Sequence, residues 1–137
     1  MKLKLQLVQD GQIILEVPLS PSDWSKDELE NEFRETEDSF ERMSKIFDAL
    51  SHETRIRMMR CLVEEEDQTM SFADFMRDLS LNPKIVWENS RKLREGGFLE
   101  KTGRGQYSCS EFGQNAFIMM SLALRRLIES LESVEEL

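Results

Sequence analysis

The middle of the chain carries its strongest boundary signals, and they define two short helices. Ser71 is followed three residues later by Asp74, the spacing at which a serine and a carboxylate cap a helix N-terminus reciprocally. Asn82-Pro83 places a capping side chain directly before a proline, the residue favoured at the first helical position. Gly96-Gly97 then ends the second helix, because glycine readily adopts the positive φ that helix ends need. The sequence therefore predicts two helices in succession, separated only by a tight turn.

Two short strands are predicted directly after these helices. Phe98–Thr102 and Gln106–Cys109 flank Gly103-Arg104-Gly105, a glycine-flanked tip typical of a hairpin. Another helix over 53–64 comes before the pair, separated from it by a loop over 65–69. The order helix, helix, turn, helix, hairpin is that of a winged helix-turn-helix, in which one helix enters the DNA major groove and the preceding helix braces it. We therefore expect an α+β fold, mainly α, of this type.

Outside this region the sequence predicts an N-terminal β-hairpin and two long helices. Alternating apolar residues surround Asp10-Gly11, a strong two-residue turn signal. A Pro- and Ser-containing linker leads into one helix over 26–50, and a closing helix is expected over 111–135. As domains, we expect residues 1–20 to form the hairpin and residues 21–137 to form one compact winged unit with flanking dimerisation helices.

Both long helices carry apolar residues at alternating spacings of three and four. Such seams are typical of helices that pack against a partner helix, and one domain of this size cannot easily bury both. We therefore expect a homodimer, since two-fold operators need two-fold proteins. The expected dimer interface comprises Phe33, Phe40, Phe47, Phe117, Met120, Leu124, Leu127 and Leu131.

Three stretches resemble the ArsR-type transcriptional regulators. Residues 49–57 read ALSHETRIR, similar to the opening motif of that family, and residues 81–86 read LNPKIV, similar to its turn and recognition-helix start. Residues 92–100 read KLREGGFLE, similar to the end of the recognition helix and the first wing strand. The resemblance covers about residues 40–125 and implies a DNA-binding transcriptional regulator with a winged helix-turn-helix fold.

The chain departs from that family at several positions. Glu53 stands where the family usually has proline, and Ser90 stands where it places a core leucine. Glu88 is expected to face outward, where a basic or polar residue is usual. The metal-sensing members carry paired cysteines on the helix that begins here at Ser71, and this helix has none. The resemblance therefore does not extend to metal sensing.

Charge is distributed unevenly along the chain. The formal net charge is −9, yet residues 77–104 contain seven basic and four acidic side chains, which leaves −12 for the rest. One basic face can therefore bind double-stranded DNA while an acidic remainder opposes nonspecific contact. Candidate DNA contacts, on the predicted recognition helix and at the hairpin tip, are Asn82, Lys84, Trp87, Asn89, Arg91, Lys92 and Arg104.

The remaining polar groups predict neither catalysis nor a cofactor or metal. Cys61 and Cys109 have no metal-ligand spacing and are expected to be reduced thiols in a cytoplasmic protein. His52 and Arg55 are expected to cap or hydrogen-bond the second helix, since no acid or nucleophile accompanies the histidine. No catalytic motif and no apolar run of about 18 residues is present, so neither an enzyme nor a membrane span is expected.

One alternative interpretation remains from the sequence. A winged helix can be retained for protein–protein contact without binding DNA. The net charge of −9, Glu88 and Ser90 favour this alternative, whereas the basic stretch and Arg104 favour DNA. The sequence identifies neither an operator nor a small-molecule effector, and it does not distinguish repression from activation.

Overall fold

A computed structural model describes residues 3–135, and the fold is α+β and mainly helical. The chain divides into two compact units, Met1–Glu41 and Arg42–Leu137. This division falls after the first long helix, which clusters with the hairpin, whereas the sequence predicted a boundary between residues 20 and 21. None of the described helices is both long and apolar enough to cross a lipid bilayer.

The first unit contains the predicted hairpin and one helix. Strands β1 (Lys4–Gln9) and β2 (Gln12–Pro18) pair antiparallel, with a register shift after Leu7. Asp10 and Gly11 both take positive φ, as a two-residue turn between twisted strands requires. Helix α1 (Lys26–Asp38) begins at a capping box in which the hydroxyl of Ser25 accepts from the backbone of Glu28.

The single helix expected over 26–50 is two helices. α1 ends at Asp38, and α2 (Phe40–Ala49) begins after Ser39, whose φ of −93° and ψ of 4° leave the helical range. Serine and aspartate at this point are weak helix formers because their side chains compete for backbone hydrogen bonds. The apolar seam that spanned both helices in the sequence therefore does not lie on one continuous helix.

The second unit contains the predicted helical pair and hairpin. After α2, its elements through the end of the hairpin are α3 (Glu53–Glu64), β3 (Thr69–Ser71), α4 (Phe72–Leu79), α5 (Pro83–Glu95), β4 (Leu99–Gly103) and β5 (Gln106–Cys109). The three strands form an antiparallel sheet in the order β3-β5-β4. The strand β3 was not predicted, since residues 65–69 were expected to be a loop. The capping box at Ser71 and the cap at Asn82 are confirmed.

The core of the second unit lies between these helices and the sheet. Its fully enclosed side chains include Met58 and Met59 of α3, Phe75 of α4, and Val86 and Leu93 of α5. Phe98 is also fully buried, and Gly97 before it takes a φ of +83° that turns the chain from α5 into β4. The packing holds α5 rigidly and fixes which of its sides faces outward.

The closing helix is interrupted by a π-turn. Helix α6 (Glu111–Ile118) continues through a π-helical turn at Met119–Ala123 into α7 (Leu124–Glu135). A π-turn adds about one residue to the helical repeat and so rotates the residues after it relative to those before it. Phe117 is buried in the core of its own unit, whereas Leu124 and all residues up to 133 are exposed, although the spacing in the sequence suggested one face.

Candidate functional site

The outer face of α5 presents a row of three interacting side chains, Trp87, Arg91 and Glu95, which we call the α5 ladder. Trp87 is 57% exposed, and the guanidinium carbon of Arg91 lies 5.4 Å from the centroid of its ring. Nη1 of Arg91 also donates to Oε1 of Glu95 across 2.7 Å. These residues follow one another at four-residue intervals, which places them on one side of a helix. The ladder holds the arginine over the ring and keeps both accessible.

The two lysines predicted to contact DNA from this helix, like Arg91, have carboxylate partners. Nζ of Lys84 lies 4.0 Å from Oε1 of Glu88, and Nζ of Lys92 lies 3.2 Å from Oδ2 of Asp48 in α2. Lys84 is exposed, whereas Lys92 is half-buried. All three cations expected on this helix to meet phosphate are therefore already compensated within the chain, through partners that the sequence pattern did not reveal.

Asn89 is not on the exposed face, and the expectation that it contacts a base is corrected. Its side chain is only 7% exposed because α5 packs it against α3. Oδ1 of Asn89 accepts from Nη1 of Arg55 across 2.9 Å, and its Nδ2 donates to the carbonyl of Ile85 across 2.8 Å. With both ends of the amide engaged, Asn89 positions the two helices rather than offering a group to a ligand.

Arg55 and His52 hold the start of α3, as expected from the opening motif. Nε and Nη2 of Arg55 donate to the carbonyls of Ala49 and Asp48 across 2.9 and 2.7 Å. His52 is the N-cap residue, and its Nδ1 accepts from the backbone of Thr54. Ser90 stands where the resembled family places a core leucine. It is fully enclosed, and its hydroxyl donates to the carbonyl of Trp87.

Asn82 and Arg104 lie at the two ends of the predicted binding region. Oδ1 of Asn82 accepts from the backbone of Ile85 across 2.9 Å, so the side chain caps α5 while the residue stays exposed. Arg104 is exposed at the tip between β4 and β5, next to Gly105 with its φ of +68°. Within the described part of the chain, no hydrogen bond or ion pair is found for Arg104.

A groove beside this helix was not foreseen from the sequence. It lies between the N-terminus of α3 and the outer face of α5, and His52, Thr54, Trp87 and Arg91 are among the residues that line it. The start of a helix carries a positive partial charge. The capping pattern around His52 marks this helix start in the sequence, but only packing places it beside α5.

Other exposed cations around the region were not among the predicted contacts. Arg57 on α3, Arg94 at the end of α5 and Lys101 on β4 are exposed. The sequence signal that could have found them was the basic stretch for Arg94 and Lys101, and the opening motif for Arg57. The second unit has fourteen basic and sixteen acidic side chains, a net charge of −2, whereas the first has four basic and eleven acidic, a net charge of −7. The negative charge is concentrated in the first unit.

The thiols are neutral and separated. Burial raises the pKa of Cys61 and raises that of Cys109 to about 11, so neither is a thiolate near neutral pH. Among residues 3–135, no cluster of three or more His, Cys, Asp or Glu side chains is placed to hold a metal ion. The exposed face of α5 therefore remains the main candidate site.

A second exposed surface lies on α7. Leu124, Leu127 and Leu131 are exposed, and so is Ile128, which the seam in the sequence did not include. The expected partners Phe33, Phe40 and Phe47 are also exposed, whereas Phe117 is buried and Met120 packs against the core of its own unit. Phe117 is therefore corrected to a core residue. Leu124, Leu127, Ile128 and Leu131 together form a surface that we call the α7 face.

Comparison of the sequence with models of known protein families finds no match, and comparison with curated proteins finds no relative.

Proposed function

We propose that this protein is a DNA-binding transcriptional regulator with a winged helix-turn-helix fold, active as a homodimer on double-stranded DNA. The observation that carries the proposal is the pairing of a rigidly packed helix, α5, with an exposed arginine at the tip of the hairpin that comes after it. In this proposal α5 enters the major groove, and Arg104 reaches the flanking backbone or minor groove.

The side chains on α5 suit different parts of a duplex. Trp87 offers an apolar edge to a thymine methyl group, and Lys84 and Arg91 offer donors to phosphates or guanine edges. The ion pairs of Lys84 and Arg91 do not prevent this, because exposed ion pairs contribute about 0–1 kcal/mol and exchange readily. The first turn of α3, which shares a groove with Trp87, adds the positive partial charge of a helix start for a further phosphate.

The α7 face supports the homodimer. Four apolar side chains exposed along one helix form an unusual surface for an isolated chain, and helix pairing across a two-fold axis would remove them from water. Two copies of α5 would then be presented to two half-sites. Without such a pair, each chain has few cations with which to neutralise phosphates.

Selection from a random duplex library at low salt, followed by titration of the enriched duplex, tests the proposal directly. We expect saturable binding that prefers the enriched sequence over unselected DNA. Arg104→Ala should weaken binding to both, whereas Arg126→Ala, which removes an exposed arginine from α7, serves as the matched control. Failure of the folded dimer to bind any duplex at low salt would contradict the proposal.

A second candidate function is a protein-contact module without DNA binding. The ladder of Trp87, Arg91 and Glu95 favours it, because exposed tryptophan and arginine are enriched among the residues that dominate protein interfaces. The compensation of Lys84 and Lys92 by carboxylates points the same way. If the library selection yields no enriched duplex while the protein is folded, this second function is the better account.

A further inference from the structure

The N-terminal hairpin is rich in apolar side chains that the chain itself does not cover. Within residues 3–41, no side chain is buried. The exposed apolar residues of the hairpin are Leu5, Leu7, Val8, Ile13, Ile14 and Leu15. A two-stranded hairpin is at best marginally stable in water, and three or more strands with an apolar face are usually needed. The hairpin therefore requires another surface to complete it.

The two outer edges of the hairpin differ in their ability to pair. The backbone N–H of Leu19 donates to the carbonyl of Leu3 across 2.9 Å, so Leu3 is a hydrogen-bonded position of the antiparallel pair. Inward and outward N–H groups alternate along such a strand, and the N–H groups of Lys4 and Gln6 therefore point away from β2. The β1 edge is regular over these residues. The outer edge of β2 is interrupted by the register shift and lacks a donor at Pro18, and both features block strand addition.

We propose that the β1 edge is an interaction surface for a second copy of this chain, with the two β1 strands pairing antiparallel into a four-stranded sheet. A two-fold axis perpendicular to the sheet would place the Leu5, Leu7, Leu15 and Val17 faces of both hairpins on the same side. The resulting sheet has both a regular ladder and a continuous apolar face. This contact is separate from the α7 face and does not depend on DNA binding.

Self-complementarity supports a second copy as the partner. Antiparallel pairing of two β1 strands brings the exposed Leu5 and Leu7 of one copy beside the same residues of the other. A two-fold contact of this kind uses one patch twice, so each copy covers the apolar side chains that the other leaves exposed.

Charge also favours β1 over the neighbouring helix as the self-contact. Lys4 is the only charged residue in β1, so strand pairing brings no row of like charges together. Helix α1 carries seven acidic residues against Lys26 and Arg34, and pairing of its charged sides would be repulsive. The charged sides of α1 are therefore unsuited to self-association, whereas the β1 edge carries no such row of like charges.

Two proline variants at one cross-strand pair test this contact. Gln6 and Glu16 lie opposite each other, with their N–H groups on the two different outer edges. A proline is tolerated where a strand N–H faces solvent but removes a donor where another strand is added. In a Leu124→Asp background, which lacks the α7 contact, sedimentation equilibrium should show association weakened about tenfold or more by Gln6→Pro and by less than about twofold by Glu16→Pro, since only the first removes an interchain hydrogen bond. Equal effects of the two variants, or none, would overturn the proposal, and so would a monomeric wild type.

Amide hydrogen exchange tests the same contact without any substitution. At a concentration where the protein is associated, the N–H of Gln6 should exchange on the order of tenfold or more slowly than after dilution, whereas that of Glu16 should not respond. Equally fast exchange at both positions would exclude the β1 edge. In Leu124→Asp, which removes the α7 face, the Gln6 protection should persist. These readouts do not involve DNA, so, apart from a monomeric wild type, which would contradict both proposals, they fail or succeed independently of the proposed function.

Discussion

The guanidinium of Arg55 in α3 donates a hydrogen bond from Nη1 to Oδ1 of Asn89 in α5, across 2.9 Å, and both side chains are buried. This contact joins the helix that begins at the opening motif to the helix whose outer face forms the candidate site. The same guanidinium donates to two carbonyls in the last turn of α2, those of Asp48 and Ala49. One side chain therefore ties three helices together behind Trp87.

Removing the acceptor should destabilise the second unit. Asn89→Ala leaves Nη1 of a buried arginine without its partner, and we expect a loss of about 1–3 kcal/mol in the free energy of unfolding. Urea denaturation measures this loss. Asn115→Ala, at an exposed helical position, is the control and should change stability by no more than about 0.5 kcal/mol. Equal effects of the two variants would show that the contact contributes nothing specific.

Salt dependence should report the few phosphates that each subunit neutralises. With about three contacts per subunit and a slope of about −0.9 per phosphate, the log–log slope for a dimer should be roughly −5. Arg104→Ala should reduce its magnitude by up to about one unit per subunit and weaken all sequences similarly. Fluorescence anisotropy across a salt series measures both, and a slope unchanged by Arg104→Ala would remove the hairpin tip from the interface.

Trp87 should affect sequence preference rather than overall affinity. If its ring contacts a thymine methyl, replacing that thymine by uracil should weaken the wild type about fourfold, the equivalent of roughly 0.8 kcal/mol for one methyl group. The loss should disappear in Trp87→Ala, because the variant has no ring to contact the methyl. Competition titrations with thymine- and uracil-containing duplexes provide the comparison. Sensitivity that persists in the variant would assign the methyl contact to another residue.

A charge in the α7 face should separate the proposed dimer there. Leu124→Asp would bury a carboxylate between two helices at a cost of several kcal/mol, which the pairing cannot compensate. DNA affinity should fall because the two half-site contacts are no longer coupled. Ser130→Asp adds the same charge at an exposed position of the same helix and should have little effect. DNA titration of both variants, and light scattering of both in a Gln6→Pro background that lacks the β1 contact, form the test. Identical behaviour would place the DNA-binding dimer contact elsewhere.

Alkaline pH should destabilise the second unit through Cys109. Burial raises the pKa of this thiol to about 11 in the folded chain, above its ordinary value of 9.0. The unfolded chain therefore loses the proton first, and the contribution to stability is present below about pH 9 and is lost as the pH rises towards 11. Unfolding free energies measured across this range should fall more steeply for the wild type than for Cys109→Ala. Parallel curves would show that other groups cause the loss.

Local signals in the sequence were sufficient for much of the fold and part of the site. The caps at Ser71 and Asn82 and the turn at Asp10-Gly11 depend on a few neighbouring residues, so the sequence alone determined where those elements begin. Exposure of Trp87 and Arg104 was also predictable, since helical period and a glycine-flanked tip are local properties.

Tertiary structure decided the features that depend on distant partners. Strand β3 exists because Met70 meets Tyr107 in β5, a pairing that three residues cannot signal by themselves. Asn89 is turned inward by Arg55, thirty-four residues earlier, and Lys92 is compensated by Asp48 on another helix. Phe117 is buried in the core, whereas Leu124, seven residues later, is exposed, because α7 extends beyond the packed elements of its unit. In each case spacing along the chain left the side chain's partner undetermined, because hydrogen bonds and burial depend on distances that only packing creates.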